Sequence, residues 1–124
     1  VKTQISNGQA DLDKAINANL SDELLGEAFG EIGQLYQAYK LLDAAEVCYL
    51  NARTLHPKDY RWPHYLGYVY QNLGKPEQAI ASFENALSLK SDYAPAMIGA
   101  ARNCLKLNQN EKAEALFKQA INFN

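Results

Sequence analysis

The 124-residue sequence predicts an all-α fold, a solenoid of three helix-turn-helix hairpins behind a short N-terminal extension. Three observations carry this. When the chain is shifted by 34 residues, small side chains superimpose: Gly33, Gly67 and Ala101; Ala45, Ala79 and Ala113; Ala52, Ala86 and Ala120. Large residues share the frame, with Tyr49, Phe83 and Phe117 in one column, Tyr36, Tyr70 and Cys104 in another, and Leu55, Leu89 and Phe123 in a third. Within a copy, Leu66, Tyr70 and Leu73 recur at helical spacing, and Gly74 and Pro76 mark a break and a restart. One such hairpin cannot bury its apolar faces alone, so stacked neighbours must complete the core.

The elements follow from local signals. Residues 9–19 read as one short helix outside the frame, interrupted by Asn17 and Asn19. Ser21 caps a helix over 22–39, with Asp22 and Glu23 favourable in its first turn. Asp43 with Glu46 fits a capping-box variant for a helix ending near Leu55, and Pro57 prevents its continuation. Asp59 caps a helix over 60–73, with Pro63 near its first turn. Helices over 77–89, 94–107 and 111–123 complete the series. The chain therefore divides into an extension (1–25) and repeat units 26–59, 60–93 and 94–124. The third unit stops without a capping helix, which leaves Leu116, Phe117, Ile121 and Phe123 incompletely covered. A longer native chain, or self-association through this end, is the expectation.

Composition excludes several classes. A chain of this length buries about two thirds of its unfolded surface, so folding requires no disulfide or metal. Apolar residues make up 48%, which argues against disorder. Fourteen acidic residues against twelve basic ones give no general basis for binding nucleic acid or an anionic membrane. No apolar run approaches the roughly 18 residues of a membrane span. Cys48 and Cys104 have no zinc-type spacing, and no cofactor motif is present. Unpaired cysteines suit a reducing compartment such as the cytoplasm. Because Val1 is not Met, a removed leader would admit the periplasm.

The repeat resembles the tetratricopeptide repeat (TPR) family, whose motif runs W-x2-L-G-x2-Y and then Ala, Phe, Ala and Pro at fixed offsets. The second copy reads Leu66-Gly67-x2-Tyr70, Ala79, Phe83, Ala86; the first reads Ile32-Gly33-x2-Tyr36, Ala45, Tyr49, Ala52, Pro57. The third is more degenerate, with Ala100-Ala101-x2-Cys104, Ala113, Phe117 and Ala120. The opening aromatic is Phe29 in the first copy, is displaced by Pro63 in the second and becomes Met97 in the third. The resemblance implies a right-handed superhelical solenoid whose first helices line a concave groove, and a binding module rather than an enzyme.

Carried onto this sequence, the family's ligand-facing positions include Gln34 and Gln37 in the first copy, Arg61, His64, Tyr68, Gln71 and Asn72 in the second, and Arg102 and Lys106 in the third. Arg61, His64, Tyr68 and Gln71 share one helical face apart from the apolar stripe and are expected to be available to a partner. Arg suits a carboxylate, Tyr gives rigid area with a hydroxyl, and Gln and Asn suit an extended backbone. The expected partner is a protein or peptide segment of polar to mildly acidic character. The family's carboxylate clamp of Lys, Asn, Asn, Lys and Arg is absent: the matching positions hold Gly30, Gln34, Tyr65, Pro95 and Gly99. A bacterial secretion chaperone for translocator proteins is an alternative resting on three repeats and compact length. An enzyme accessory domain is another, but His56 lies in an inter-repeat turn, where a surface residue is expected, and His64 lacks a nucleophile or paired carboxylate.

Overall fold

The computed structural model describes residues 2–18 and 20–123, and every regular element among them is an α-helix. These are α1 (Lys2–Asn17), α2 (Asp22–Ala38), α3 (Leu42–Leu55), α4 (Arg61–Asn72), α5 (Pro76–Leu89), α6 (Ala94–Lys106) and α7 (Asn110–Asn122). The all-α helical repeat expected from the 34-residue period is the fold observed. The chain divides into two compact units, residues 1–62 and 63–124, with the boundary inside the first turn of α4.

In the first unit, α2 packs against both α1 and α3. Leu12, Ile32 and Cys48 form a buried cluster, flanked by Phe29, Leu35 and Tyr36. Ala45, Tyr49 and Ala52 of α3 are fully buried. A Cβ at Gly33 would stand 2.9 Å from the Tyr49 ring, so the small residue read from the repeat is what lets α2 and α3 close. The first helix is longer than expected. It begins at Lys2 and ends at Asn17, where the sequence pattern suggests only a short element within 9–19. Asn19, the second interruption read from that pattern, lies outside the described residues. Leu12 supplies the tertiary anchor for this helix, which propensity alone does not reveal.

In the second unit, α5 packs on α6 and α6 on α7. One cluster joins Ile80, Ala101, Cys104 and Ala113, and another joins Ala94, Met97 and Ala120. Phe83 is fully buried against Gly67, where a Cβ would come within 2.7 Å of its ring. Leu116 and Phe117 are half-buried, while Ile121 and Phe123 are exposed.

The helix starts vary in chemistry. The Ser21 hydroxyl accepts from the Leu24 amide at 3.3 Å, and Asp59 accepts from the Arg61 amide at 3.0 Å, as the sequence suggests. The capping box expected at Asp43 and Glu46 does not form. The N-cap of α3 is Leu41, without a side-chain hydrogen bond, and Asp43 lies inside the first turn. The preceding turn is so tight that the cap falls two residues earlier than the acidic signal.

Candidate functional site

Several of the side chains assigned to a partner are engaged within the fold. Arg61 begins α4 and is held by two carboxylates. Its Nη2 lies 2.6 Å from Asp59 Oδ2 and 2.5 Å from Glu27 Oε2, and its Nε bonds Asp59 at 3.0 Å. Its guanidinium carbon sits 4.5 Å from the centroid of the Trp62 ring. The hydrogen bonds to Asp59 and then Glu27 push the Arg61 pKa still higher, so its charge is permanent. Burial alone would raise the Asp59 carboxyl, but its bonds and pairing with Arg61 outweigh that and hold it below its usual range. Arg61 is therefore paired within the chain by two carboxylates, while its side chain stays 39% exposed.

The repeat frame does not single out Trp62, because Pro63 occupies the expected aromatic column. Trp62 is nonetheless fully buried and stacks on Tyr49, with centroids 6.3 Å apart at 21°. Gly30 makes room for it, since a Cβ there would overlap the indole. The Tyr49 hydroxyl donates to Gln37 Oε1 at 2.6 Å, so Gln37 serves the core at that atom. Gln34 is exposed.

In the second unit three of the candidate residues meet, His64 with Tyr68 and Tyr68 with Arg102. The sequence places His64 on the partner face, yet it is only 5% exposed. Its ring meets Tyr68 and Tyr93 edge-on, each at 4.9 Å, and lies 5.8 Å from Phe83. Tyr93, from the turn before α6, closes this cage. Burial pushes the His64 pKa down to about 4, and the buried Nδ1 has no hydrogen-bond partner. His64 is thus a neutral core residue at neutral pH.

Tyr68 is half-buried against Phe83, with centroids 5.1 Å apart. Burial raises its pKa, and the nearby Arg102 charge works against that rise. Gln71 Oε1 accepts from Asn103 Nδ2 at 2.9 Å, and the same Asn103 amide donates to the Gly99 carbonyl at 2.8 Å. Asn103 is fully buried and does not stand out in the repeat columns. The sequence carries one signal for it: Asn103 continues the helical stripe of small residues Ala96, Gly99 and Ala100. Asn72, Arg102 and Lys106 are exposed.

Charge is partitioned between helices in this unit. Neither α4 nor α6 contains an Asp or Glu, while α5 and α7 carry Glu77, Glu84, Glu111 and Glu114. Glu84 pairs with Lys112 at 3.0 Å, and Glu114 with Lys118 at 3.0 Å. Arg102 and Lys106 therefore share α6 with no carboxylate to offset them. Among the described residues no group of three or more His, Cys, Asp or Glu side chains could hold a metal, and no helix is long and apolar enough to cross a membrane. Cys48 and Cys104 are free and buried; burial pushes the Cys48 thiol up to about 11 and raises that of Cys104. Such thiols are poor nucleophiles.

The family model described as Tetratricopeptide repeat matches residues 70–124. Among solved structures, MamA AMB-1 superimposes with a TM-score of 0.85 at 22% identity, covering 99% of this chain and 69% of that one. Residues 70–124 thus belong to the tetratricopeptide repeat family, and the whole chain shares the fold of solved TPR domains. The second TPR of Spaghetti (RPAP3), bound to HSP90 peptide SRMEEVD, matches with a TM-score of 0.78 at 16% identity, covering 80% of this chain and 92% of that one. The Arabidopsis OM64 TPR domain gives 0.81 at 17% identity, covering 83% and 85%. No curated protein matches the sequence. The TPR pairing of consecutive helices is seen in α2 with α3 and in α6 with α7, and α1 is an additional helix packed on α2.

Proposed function

We propose that this chain is a non-catalytic protein-interaction module, and that its second unit binds an acidic peptide segment. The observation that carries the reading is exposed Arg102, close to half-buried Tyr68 and one turn of α6 from exposed Lys106, on helices that lack any carboxylate. A peptide carboxylate would meet Arg102 and Lys106, and the Tyr68 ring would supply rigid contact area. Asn72 and the free hydrogen-bonding capacity of the Gln71 amide suit a peptide backbone. Arg61, His64, Gln34 and Gln37 recede in this reading, because three of them are engaged in the fold and Gln34 is an isolated exposed amide.

A TPR fold bound to an HSP90 peptide supports the class of ligand as a peptide. The test is fluorescence anisotropy with a labelled peptide of alternating Glu and Ser. The double variant Arg102→Glu with Lys106→Glu should weaken binding roughly tenfold or more, the scale of two exposed charge contacts. Lys118→Glu on α7 serves as the control and should leave affinity unchanged. Equal affinity for the double variant and the native chain would refute the assignment.

A further inference from the structure

We propose that the cleft between α1 and α2 is a separate binding site, one that takes a basic peptide segment by seating a lysine side chain. The cleft has a volume of about 270 Å³, below the size of a typical small-molecule pocket and suited to one long side chain. Its floor is apolar, made by Leu12, Ile32 and Leu35, and its rim carries Asp11 from α1 and Glu31 from α2. Both carboxylates are exposed, and neither has an ion-pair or hydrogen-bond partner among the described residues.

The walls are fixed before any ligand arrives. Gly8 lets α1 approach α2, since a Cβ there would overlap Ile32 Cδ1. The Tyr36 hydroxyl donates to Gln9 Oε1 at 2.9 Å, and Tyr39 donates to Gln4, which ties the two helices along their length. Charge decides the occupant. Across residues 2–38 there are six carboxylates (Asp11, Asp13, Asp22, Glu23, Glu27 and Glu31), of which Glu27 is already paired with Arg61, against Lys2 and Lys14. A lysine lays its methylene stem on apolar surface and keeps its ammonium toward water, which matches an apolar floor with an acidic rim. An acidic or purely apolar side chain satisfies only half of this arrangement.

The probe is the peptide acetyl-Ala-Ala-Lys-Ala-Ala-amide, followed by NMR through the Gly8 amide and the Ile32 methyl groups. Saturable shifts at both are expected, with affinity reduced about tenfold in the Asp11→Asn, Glu31→Gln double variant, the scale of two exposed ion pairs. Both substitutions are conservative and exposed, so an unchanged melting temperature shows that the fold is retained. The norleucine version of the peptide, which keeps the stem and loses the ammonium, should bind far more weakly. The proposal is overturned by no shift at Gly8 and Ile32, by equal shifts in the double variant, or by equal shifts with the norleucine peptide. Spermidine shifting these residues as strongly as the peptide would show a site that reads free amines, which also overturns the assignment to a peptide segment.

Discussion

His64 shows how one buried side chain couples stability to pH. The unfolded residue takes up a proton near pH 6.5, whereas burial delays protonation of the folded one to about pH 4. Between those values the unfolded chain binds more protons, so stability falls as pH drops through this window. The loss is roughly 1 kcal/mol per pH unit, or on the order of 3 kcal/mol in all. Asp59 acts in the same direction at lower pH, since its depressed carboxyl contributes stability that disappears as pH falls through its folded value. His64→Phe keeps an aromatic ring in the cage and removes the unpaired Nδ1. It should flatten the dependence of melting temperature on pH between 6.5 and 4; a slope as steep as the native one would mean that other groups carry it. Gly30 offers a second test at this scale. Gly30→Ala places a methyl against the fully buried Trp62 ring, and an overpacking loss of about 1–3 kcal/mol is expected in urea unfolding.

These residues also mark what the sequence hides. The repeat columns identify Tyr49, Phe83 and Gly67 as core because size recurs at a fixed spacing. Trp62 and His64 escape because their burial depends on partners that break the frame, Gly30 for one and Tyr93 for the other. The Arg61–Glu27 and Tyr68–Arg102 relationships are legible in principle. Each pair is 34 residues apart, the same position in successive copies, and stacked hairpins set equivalent positions side by side.

At the scale of elements, the period reaches the backbone itself. Lys40, Gly74 and Asn108 are spaced by 34, and all three have positive φ, at 61°, 74° and 59°. Each closes a hairpin turn in the same way. The Lys40 amide bonds the Gln37 carbonyl at 2.9 Å, the Gly74 amide that of Gln71 at 3.1 Å, and the Asn108 amide that of Leu105 at 3.0 Å. The next residues, Leu41, Lys75 and Gln109, bond back to the carbonyls of Tyr36, Tyr70 and Cys104. This is the left-handed helix stop that glycine adopts most readily and asparagine tolerates. Only Lys40 is an ill-suited occupant. Lys40→Gly should stabilise the chain by about 1 kcal/mol, and Gly74→Ala should destabilise it by a similar amount. Thermal unfolding checks both, and a destabilised Lys40→Gly would contradict the reading of strain. Gly74 reads as a helix stop in the sequence by itself, whereas Lys40 in the equivalent place carries no turn signal.

For the whole molecule, the modest net charge of −2 conceals a division. Residues 1–62 hold nine acidic and six basic residues, a net −3, and residues 63–124 hold five and six, a net +1. Composition excludes a polyanion partner on the total, but recognition responds to the local field, which at physiological salt is felt over about 8 Å. Acidic and basic peptides should therefore address different units. An acidic peptide should shift NMR signals of Tyr68, Arg102 and Lys106 and leave Gly8 and Ile32 unmoved, while a lysine peptide should do the reverse. Both affinities should weaken as salt rises from low to physiological strength, because the contacts on each side involve exposed charges that salt screens. Tyr68 sharpens the prediction. Its ring is anchored against Phe83, so the apolar part of acidic-peptide binding should survive in high salt after the contribution of Arg102 and Lys106 is lost. Binding that vanished entirely with salt, or that shifted both units alike, would show that the molecule responds to charge without reading a segment.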